Sequence, residues 1–270
     1  MKIDLSDVAL MIHFRRDVEQ RLTNLETVMK FYRKYAPNLS IIIVNDDKDI
    51  DPDLDRLHRT YNCWVLFQQN SGTYWRTKAF NEAAKFSKRK YLIAGDTDVF
   101  INPKYILDAI KIFEQNPKVG VVYPYSGMFV HLKKHNSEEF DKTLDITPLE
   151  DLIHTLKPVP YFETENFLVA HPMSKGGSVM FSREAFEYCG GYNTNFIGWG
   201  FEDDEISNRY TKLGFELERV KDPKAIAWHL PHDNTVREKH PFYQQNYQHS
   251  EFVGHCTKEE LENYIKTWKN

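Results

Sequence analysis

Cysteine is scarce in this chain: Cys63, Cys189 and Cys256 are widely spaced and odd in number. That excludes a disulfide-stapled scaffold and a cysteine-based metal centre, and it favours a reducing compartment. Long apolar runs are missing as well, and no segment approaches the ~18 residues of a membrane span. The first apolar run, Val8–Ile12, comes too early to leave room for a secretory leader, so a cytoplasmic setting is expected, with any membrane contact peripheral. Nor is there a surplus of positive charge. Lys and Arg number 35 against 39 Asp and Glu, and the net charge of −4 argues against a nucleic-acid binder. The basic run Lys85–Lys90 reads as a solvated helix end. There is no internal repeat and no low-complexity segment, and 270 residues fit one large domain.

What is present is alternation. Buried strands are predicted at Val8–Ile12, Ile41–Val44, Trp64–Phe67 and Tyr91–Ala94, with amphipathic helices between them. Leu22, Leu25, Met29 and Tyr32 fall at helical spacing, and Asp17 three before Gln20 resembles a capping box. Asn102-Pro103 opens a further helix, with Asn as cap and Pro in the first turn. Such alternation specifies an α/β fold with a mainly parallel sheet, whose ligands bind at the carboxyl ends of the strands. Residues 124 to 174 break the pattern and read as a long functional loop. Pattern resumes with a strand at Ser178–Phe181, a helix at Arg183–Tyr188, strands at Phe215–Val220 and Ala225–Trp228, and a terminal helix capped by Thr257 and Glu260.

Three groups of residues carry chemistry. Asp46 and Asp47 close the second strand, and Asp96-Thr97-Asp98 closes the fourth. Two acids flanking one residue at a strand end project toward the same ligand, one able to hold a divalent cation. Gly198-Trp199-Gly200-Phe201-Glu202-Asp203-Asp204-Glu205 places four carboxylates on the first turn of a helix whose apolar stripe is Ile206, Tyr210 and Leu213. An indole beside ionised acids suits a site that holds a sugar and takes a proton from a hydroxyl. His229 and His232, two residues apart after an apolar strand, can both reach one metal. With Asp98 they form a set of one carboxylate and two nitrogens, which disfavours magnesium and calcium and leaves manganese, cobalt, iron and zinc open. Each group alone has a structural explanation; their combination is what points to a site.

The order of these motifs resembles the β-1,4-galactosyltransferases and bacterial chondroitin-polymerase-type enzymes, nucleotide-sugar transferases of the GT-A fold. The family's Pro-Phe-Arg-x-Arg is matched by His13-Phe14-Arg15-Arg16-Asp17, and its Asp-x-Asp by Asp96-Thr97-Asp98. Gly176-Gly177-Ser178-Val179 matches its Gly-Gly-Val-Ser, Gly198 to Asp204 its Gly-Trp-Gly-Gly-Glu-Asp-Asp, and His229 with His232 its metal pair. The resemblance implies a Rossmann-like nucleotide-binding half (1–123), an acceptor-binding and catalytic half (124–256) and a C-terminal helix (257–270) in a single GT-A domain, with a mixed, mainly parallel sheet. It implies that Asp98, His229 and His232 hold Mn²⁺ against the diphosphate of a UDP-sugar. Phe14, Arg15 and Arg76 would grip the donor, together with Asp96 and Thr97. Asp46 or Asp47 would contact the uracil or ribose, and Trp199 would lie against donor and acceptor sugars. Asp203 would be the base of an inverting transfer of Gal or GalNAc to a saccharide or glycolipid acceptor, with Glu202 and Asp204 orienting its hydroxyls.

Departures from the family pattern carry their own expectations. Asp17 stands where a second arginine is expected, so diphosphate contact should shift to Arg16. Phe201 replaces the second glycine of the Trp-Gly-Gly turn. Ser174 replaces a tyrosine that crowds the donor's C2 substituent, which leaves space for an N-acetyl group. The rival readings are a retaining polypeptide-GalNAc-transferase-like enzyme, which carries Asn at the place of Asp203, and a non-catalytic nucleotide-sugar-binding relative. A sugar-nucleotide pyrophosphorylase would need a Gly-rich loop, and His13–Asp17 has no glycine.

Overall fold

The computed structural model describes residues 2–154, 167–171, 173–233 and 240–268. The elements run β1 (Val8–Phe14), α1 (Glu19–Tyr35), β2 (Ser40–Asp47), α2 (Asp53–Tyr61), β3 (Trp64–Gln69), α3 (Arg76–Phe86) and β4 (Tyr91–Gly95). They continue with β5 (Val99–Ile101), α4 (Pro103–Gln115), β6 (Val119–Tyr123), β7 (Phe129–Leu132), α5 (Lys134–Thr143), α6 (Thr147–His154) and β8 (Phe167–His171). The remainder is β9 (Ser178–Ser182), α7 (Arg183–Tyr188), α8 (Glu202–Lys212), β10 (Glu216–Arg219), β11 (Ala227–His229), α9 (Tyr243–His255) and α10 (Lys258–Ile265).

Among these residues the main sheet has the order β10-β6-β9-β4-β1-β2-β3, and a smaller sheet has the order β5-β11-β7-β8. β3, β2, β1 and β4 are mutually parallel, as are β6 and β10, whereas β9 is antiparallel to both β4 and β6. The expected mixed, mainly parallel α/β sheet is therefore present. Its central strands are apolar on both faces because helices cover both: Val8, Ala9, Met11, Ile12, Ile41, Ile43 and Val44 are wholly buried. Asn102 caps α4 through the Lys104 amide (3.1 Å), and Thr257 and Glu260 form the reciprocal capping box of α10. All three cysteines are free and buried. No helix among the described residues is long and apolar enough to cross a membrane.

Two expectations fail. The stretch 124–174 is not a loop, because it contains β7, α5, α6 and β8; residues 155–166 and 172 lie outside the described residues. Its elements are short, and α5 buries only Phe140, so no long periodic signal announces them. The capping box at Asp17 is also absent. Val18 is the N-cap of α1, with no side-chain cap, and Asp17 instead sits 3.4 Å from Arg21 one turn along.

The topology gathers several chain segments at one edge. β1, β2 and β4 all end there, at His13–Phe14, Asp46–Asp47 and Asp96–Asp98, and β11 hydrogen-bonds β5 so that His229 pairs with Val99, the residue after Asp98.

Candidate active site

A cleft at this edge is lined by His13, Arg15, Asp17, Arg21, Tyr74, Arg76, Asp96, Thr97, Asp98, Trp199, His229, His232 and His240. One wall is the expected carboxylate–imidazole set. Asp98 Oδ1 lies 3.4 Å from His229 Nε2 and Asp98 Oδ2 3.2 Å from His232 Nε2. All three ligand atoms fall within 4.8 Å of one another. Donor atoms bound at about 2.0–2.2 Å to one ion stand about 3 Å apart, so this spacing fits a shared cation. The hydrogen bonding also fits. His232 Nδ1 donates to the Asp233 carbonyl at 2.9 Å, which leaves Nε2 to face the Asp98 carboxylate either as an imidazolium or across a metal ion. Burial would raise the Asp98 pKa, but His229, Arg21 and His232 hold it well below the ordinary carboxylate range.

The acids of the Gly-Trp-Gly turn resolve into different fates. Glu202 accepts from Arg76 Nη2 and from the Gly200 amide at 3.1 Å. Asp204 is exposed and pairs with Lys175 at 2.9 Å. Glu205 is buried in a two-pronged bridge to Arg209, at 2.8 and 3.0 Å. Among the described residues, Asp203 alone of the four has no ion pair or hydrogen bond to its carboxylate. Its partial burial, with Glu202 next to it, pushes its pKa up to about 7 against the opposing pull of Arg76. Gly176 packs against it: a Cβ there would meet Asp203 Oδ2 at 3.0 Å. Asp203 itself does not line the cleft. Arg76 joins it to the cleft, reaching Asp96 at 2.8 Å with one arm and Glu202 with the other.

The turn before α8 is strained. Gly198 has φ +70°, and a Cβ there would come within 1.7 Å of the His240 ring, so a larger residue would be strained and would have to displace that ring. Phe201, where the family has glycine, also lies in the left-handed region at φ +67°. Its ring docks on α9, 4.9 Å from Tyr243 and 5.3 Å from Tyr247. Trp199 stacks on Tyr243 at 5.9 Å, with the rings 15° from parallel. Asn246, wholly buried on α9, holds the turn by donating to the carbonyls of Ile197 and Trp199 at 3.0 and 3.2 Å.

Several residues expected at the donor are engaged within the protein. The Phe14 ring is wholly buried in the core, below the cleft. Asp46 is wholly buried and saturated: it accepts from Gln68, Asn70, His13 and the Trp75 amide at 2.5–2.9 Å. It organises the floor and has no free lone pair aimed at a ligand, whereas Asp47 stays half exposed, 3.9 Å from Arg15. Arg15 lines the cleft, but its guanidinium serves the carbonyls of Asp46, Asn70 and Gly72 at 2.6–2.8 Å. Thr97 donates to the His13 carbonyl at 2.8 Å. Glu202, expected at the acceptor, is engaged with Arg76 and the Gly200 amide. Arg16 is held by Glu19, Asp51 and Asp53, away from the cleft. Arg21 occupies the cleft in its place and bonds Asp98. Sequence reasoning missed Arg21, Tyr74, His240 and Asn246. For Arg21 a signal existed, since the first turn of α1 follows directly from the carboxyl end of β1.

Comparison with known proteins bears on the fold and the family. Residues 165–233 match the profile described as the N-terminal domain of galactosyltransferase. Validoxylamine A glucosyltransferase of Streptomyces hygroscopicus subsp. limoneus is 25% identical over 222 residues, 74% of this chain but 47% of the relative, so the chain spans about half its length. The structure of a Drosophila β1,4-galactosyltransferase 7 mutant in complex with manganese, UDP-Gal and xylobiose superposes with TM-score 0.52 at 17% identity, over 90% of this chain and 78% of that one. The catalytic domain of that enzyme with xylobiose gives TM-score 0.48 at 17% identity, over 93% and 81%. The shared architecture is the GT-A fold. The profile of glycosyl transferase family 2 matches residues 18–189, well over half of the sequence, and the chain belongs to that family.

Proposed function

We propose that this glycosyltransferase is a metal-dependent, inverting enzyme that moves Gal or GalNAc from a UDP-sugar to a hydroxyl of a saccharide acceptor. Asp98, His229 and His232 would hold Mn²⁺, which supplies charge neutralisation for the departing UDP. Residues 1–123 form the donor half and 124–256 carry the acceptor side. Arg76 and the Asp96 it grips set the diphosphate end of the cleft. Arg15 and Asp46 fix the loop at 70–75 that floors the nucleotide end. Trp199 lies against the sugars, Asp204 reaches the acceptor from the surface, and Asp203 takes the proton of the attacking hydroxyl.

One observation carries the reading: of four adjacent acids, Asp203 alone is left unpaired among the described residues, and its pKa is raised to about 7 beside a cleft whose other wall could hold a metal ion. A base poised near neutrality is what deprotonating a hydroxyl requires. A retaining relative would carry Asn there. Ser174 favours GalNAc as donor: the Tyr125 hydroxyl and Arg219 hold its carbonyl, each at 2.9 Å, and a side chain this small would leave room for a C2 substituent.

The test is UDP release from UDP-Gal, UDP-GalNAc and UDP-Glc, with and without Mn²⁺, across a panel of saccharide acceptors, followed by NMR of the product's anomeric centre. Metal-stimulated release with inversion is expected. Release that ignores Mn²⁺, or a product that retains configuration, overturns the proposal, and exclusive use of UDP-Gal removes the Ser174 argument.

A further inference from the structure

Arg21 is where it obstructs. It stands on the first turn of α1, three-quarters buried, with Nη1 on Asp98 Oδ2, the same oxygen that faces His232 Nε2 at 3.2 Å. Its Nε lies 3.4 Å from Asp17, four residues back and just ahead of the helix. Asp98 is 1% exposed, so its charge requires a nearby cation, and Arg21 is the arginine that supplies one. A divalent ion held by Asp98, His229 and His232 would make a second cation at that oxygen, and the two repel at close range in a poorly solvated place. Both cannot stay. Asp17 offers the displaced guanidinium a partner at 41% exposure, on the cleft side of α1.

We propose that Arg21 is a placeholder: it neutralises Asp98 in the metal-free protein and gives way to the ion, its guanidinium then held by Asp17 at the mouth of the cleft, free to bind the donor's diphosphate. The inference rests on the metal reading above. It assigns work to the Asp17 that breaks the family pattern: a carboxylate there tethers an arginine which must let go of Asp98 without leaving the cleft. It also makes metal and nucleotide mutually dependent, because Arg21 leaves Asp98 more readily when a diphosphate receives it.

The experiment is a Mn²⁺ titration without nucleotide, read by the electron paramagnetic resonance of free Mn²⁺, on the wild-type protein, Arg21→Met and Arg21→Gln. Removing the competing cation should tighten Mn²⁺ about tenfold or more. Gln, which retains a hydrogen bond to Asp98, should show the same gain if the methionine variant fails to fold. In parallel, UDP affinity at saturating Mn²⁺ should fall several-fold in both variants. Wild-type binding with no tightening in either folded variant overturns the placeholder role alone. Absence of Mn²⁺ binding in all three proteins overturns the metal reading and the placeholder with it.

Discussion

Asp46, at the end of β2, and Asp203, at the head of α8, are acids withdrawn from solvent near the same cleft, and their surroundings drive them in opposite directions. Burial should raise both. Asp46 nevertheless sits at about 2, because His13, the Trp75 amide, Asn70 and Gln68 saturate its oxygens. Asp203 rises to about 7, because burial and the charge of Glu202 outweigh the pull of Arg76, whose hydrogen bonds go to Glu202 and Asp96. A carboxylate with all its partners is architecture, and one denied them is a reagent.

The contrast can be broken most sharply at Asp203. Asp203→Asn should lower kcat by about 10³-fold, within the usual range for a general base, while calorimetry finds UDP affinity nearly unchanged. Turnover within tenfold of wild type would show that the proton goes elsewhere. The wild-type kcat profile should fall on the acid side of about pH 7, where Asp203 takes up its proton, and the asparagine variant should lack that limb.

Asp46→Ala should cost about 3–5 kcal/mol in urea unfolding, because it strands buried donors of a complete network. Asp47→Ala, half exposed, should cost less than about 0.5 kcal/mol. Equal losses would mean that Asp46 is less embedded than its bonds imply.

Stability against pH should separate the two acids by sign. The pKa of Asp203 is raised in the folded state, so the fold loses stability as pH climbs from about 4 toward 7. Asp203→Asn should therefore be the more stable protein at pH 8, by about 2 kcal/mol, with the gap closing near pH 4. Asp46 acts oppositely: its contribution is present above the ordinary Asp value of 3.8 and is lost as pH falls toward about 2. Calorimetric melting at the two pH values decides it.

The smallest effect belongs to Phe201→Gly. Relief of the left-handed backbone is worth about 1–2 kcal/mol, and loss of the ring's packing on Tyr243 and Tyr247 opposes it. The net change in denaturation should stay within about 1 kcal/mol. A larger loss would mean that the ring, not the backbone, governs the turn.

How much of this was legible follows from what each element spends its side chains on. Ile41–Val44 and Tyr91–Ala94 announce themselves, since parallel strands buried on both faces need unbroken apolar runs. Helix α9 does not, because its buried positions are Asn246, Ser250 and Val253, and its inward face is largely polar. That polarity is its use, since Asn246 grips the backbone of the tryptophan turn. The cluster of Asp98, His229 and His232 was legible because its members sit at or just past strand ends. The saturation of Asp46 was not, as it depends on Gln68 at the end of β3 and on Asn70 and Trp75 from the following loop, whose path no local pattern announces. The burial of Phe14 was hidden for a related reason: alternation along β1 turns its ring inward, where a motif match alone cannot see it.

The seam between helix α3 and the segment 190–200 has a practical consequence for engineering. Gly198 donates to the Tyr74 carbonyl at 2.9 Å, Trp75 to Thr194 at 2.9 Å, Thr77 to Phe196 at 2.8 Å and Asn81 to Tyr192 at 2.9 Å, all beside the Arg76 that bridges both acidic groups. Any chimera that imports the tryptophan segment from a relative, to change which sugar is glycosylated, must import residues 74 to 81 with it. Otherwise the graft arrives out of register with the arginine.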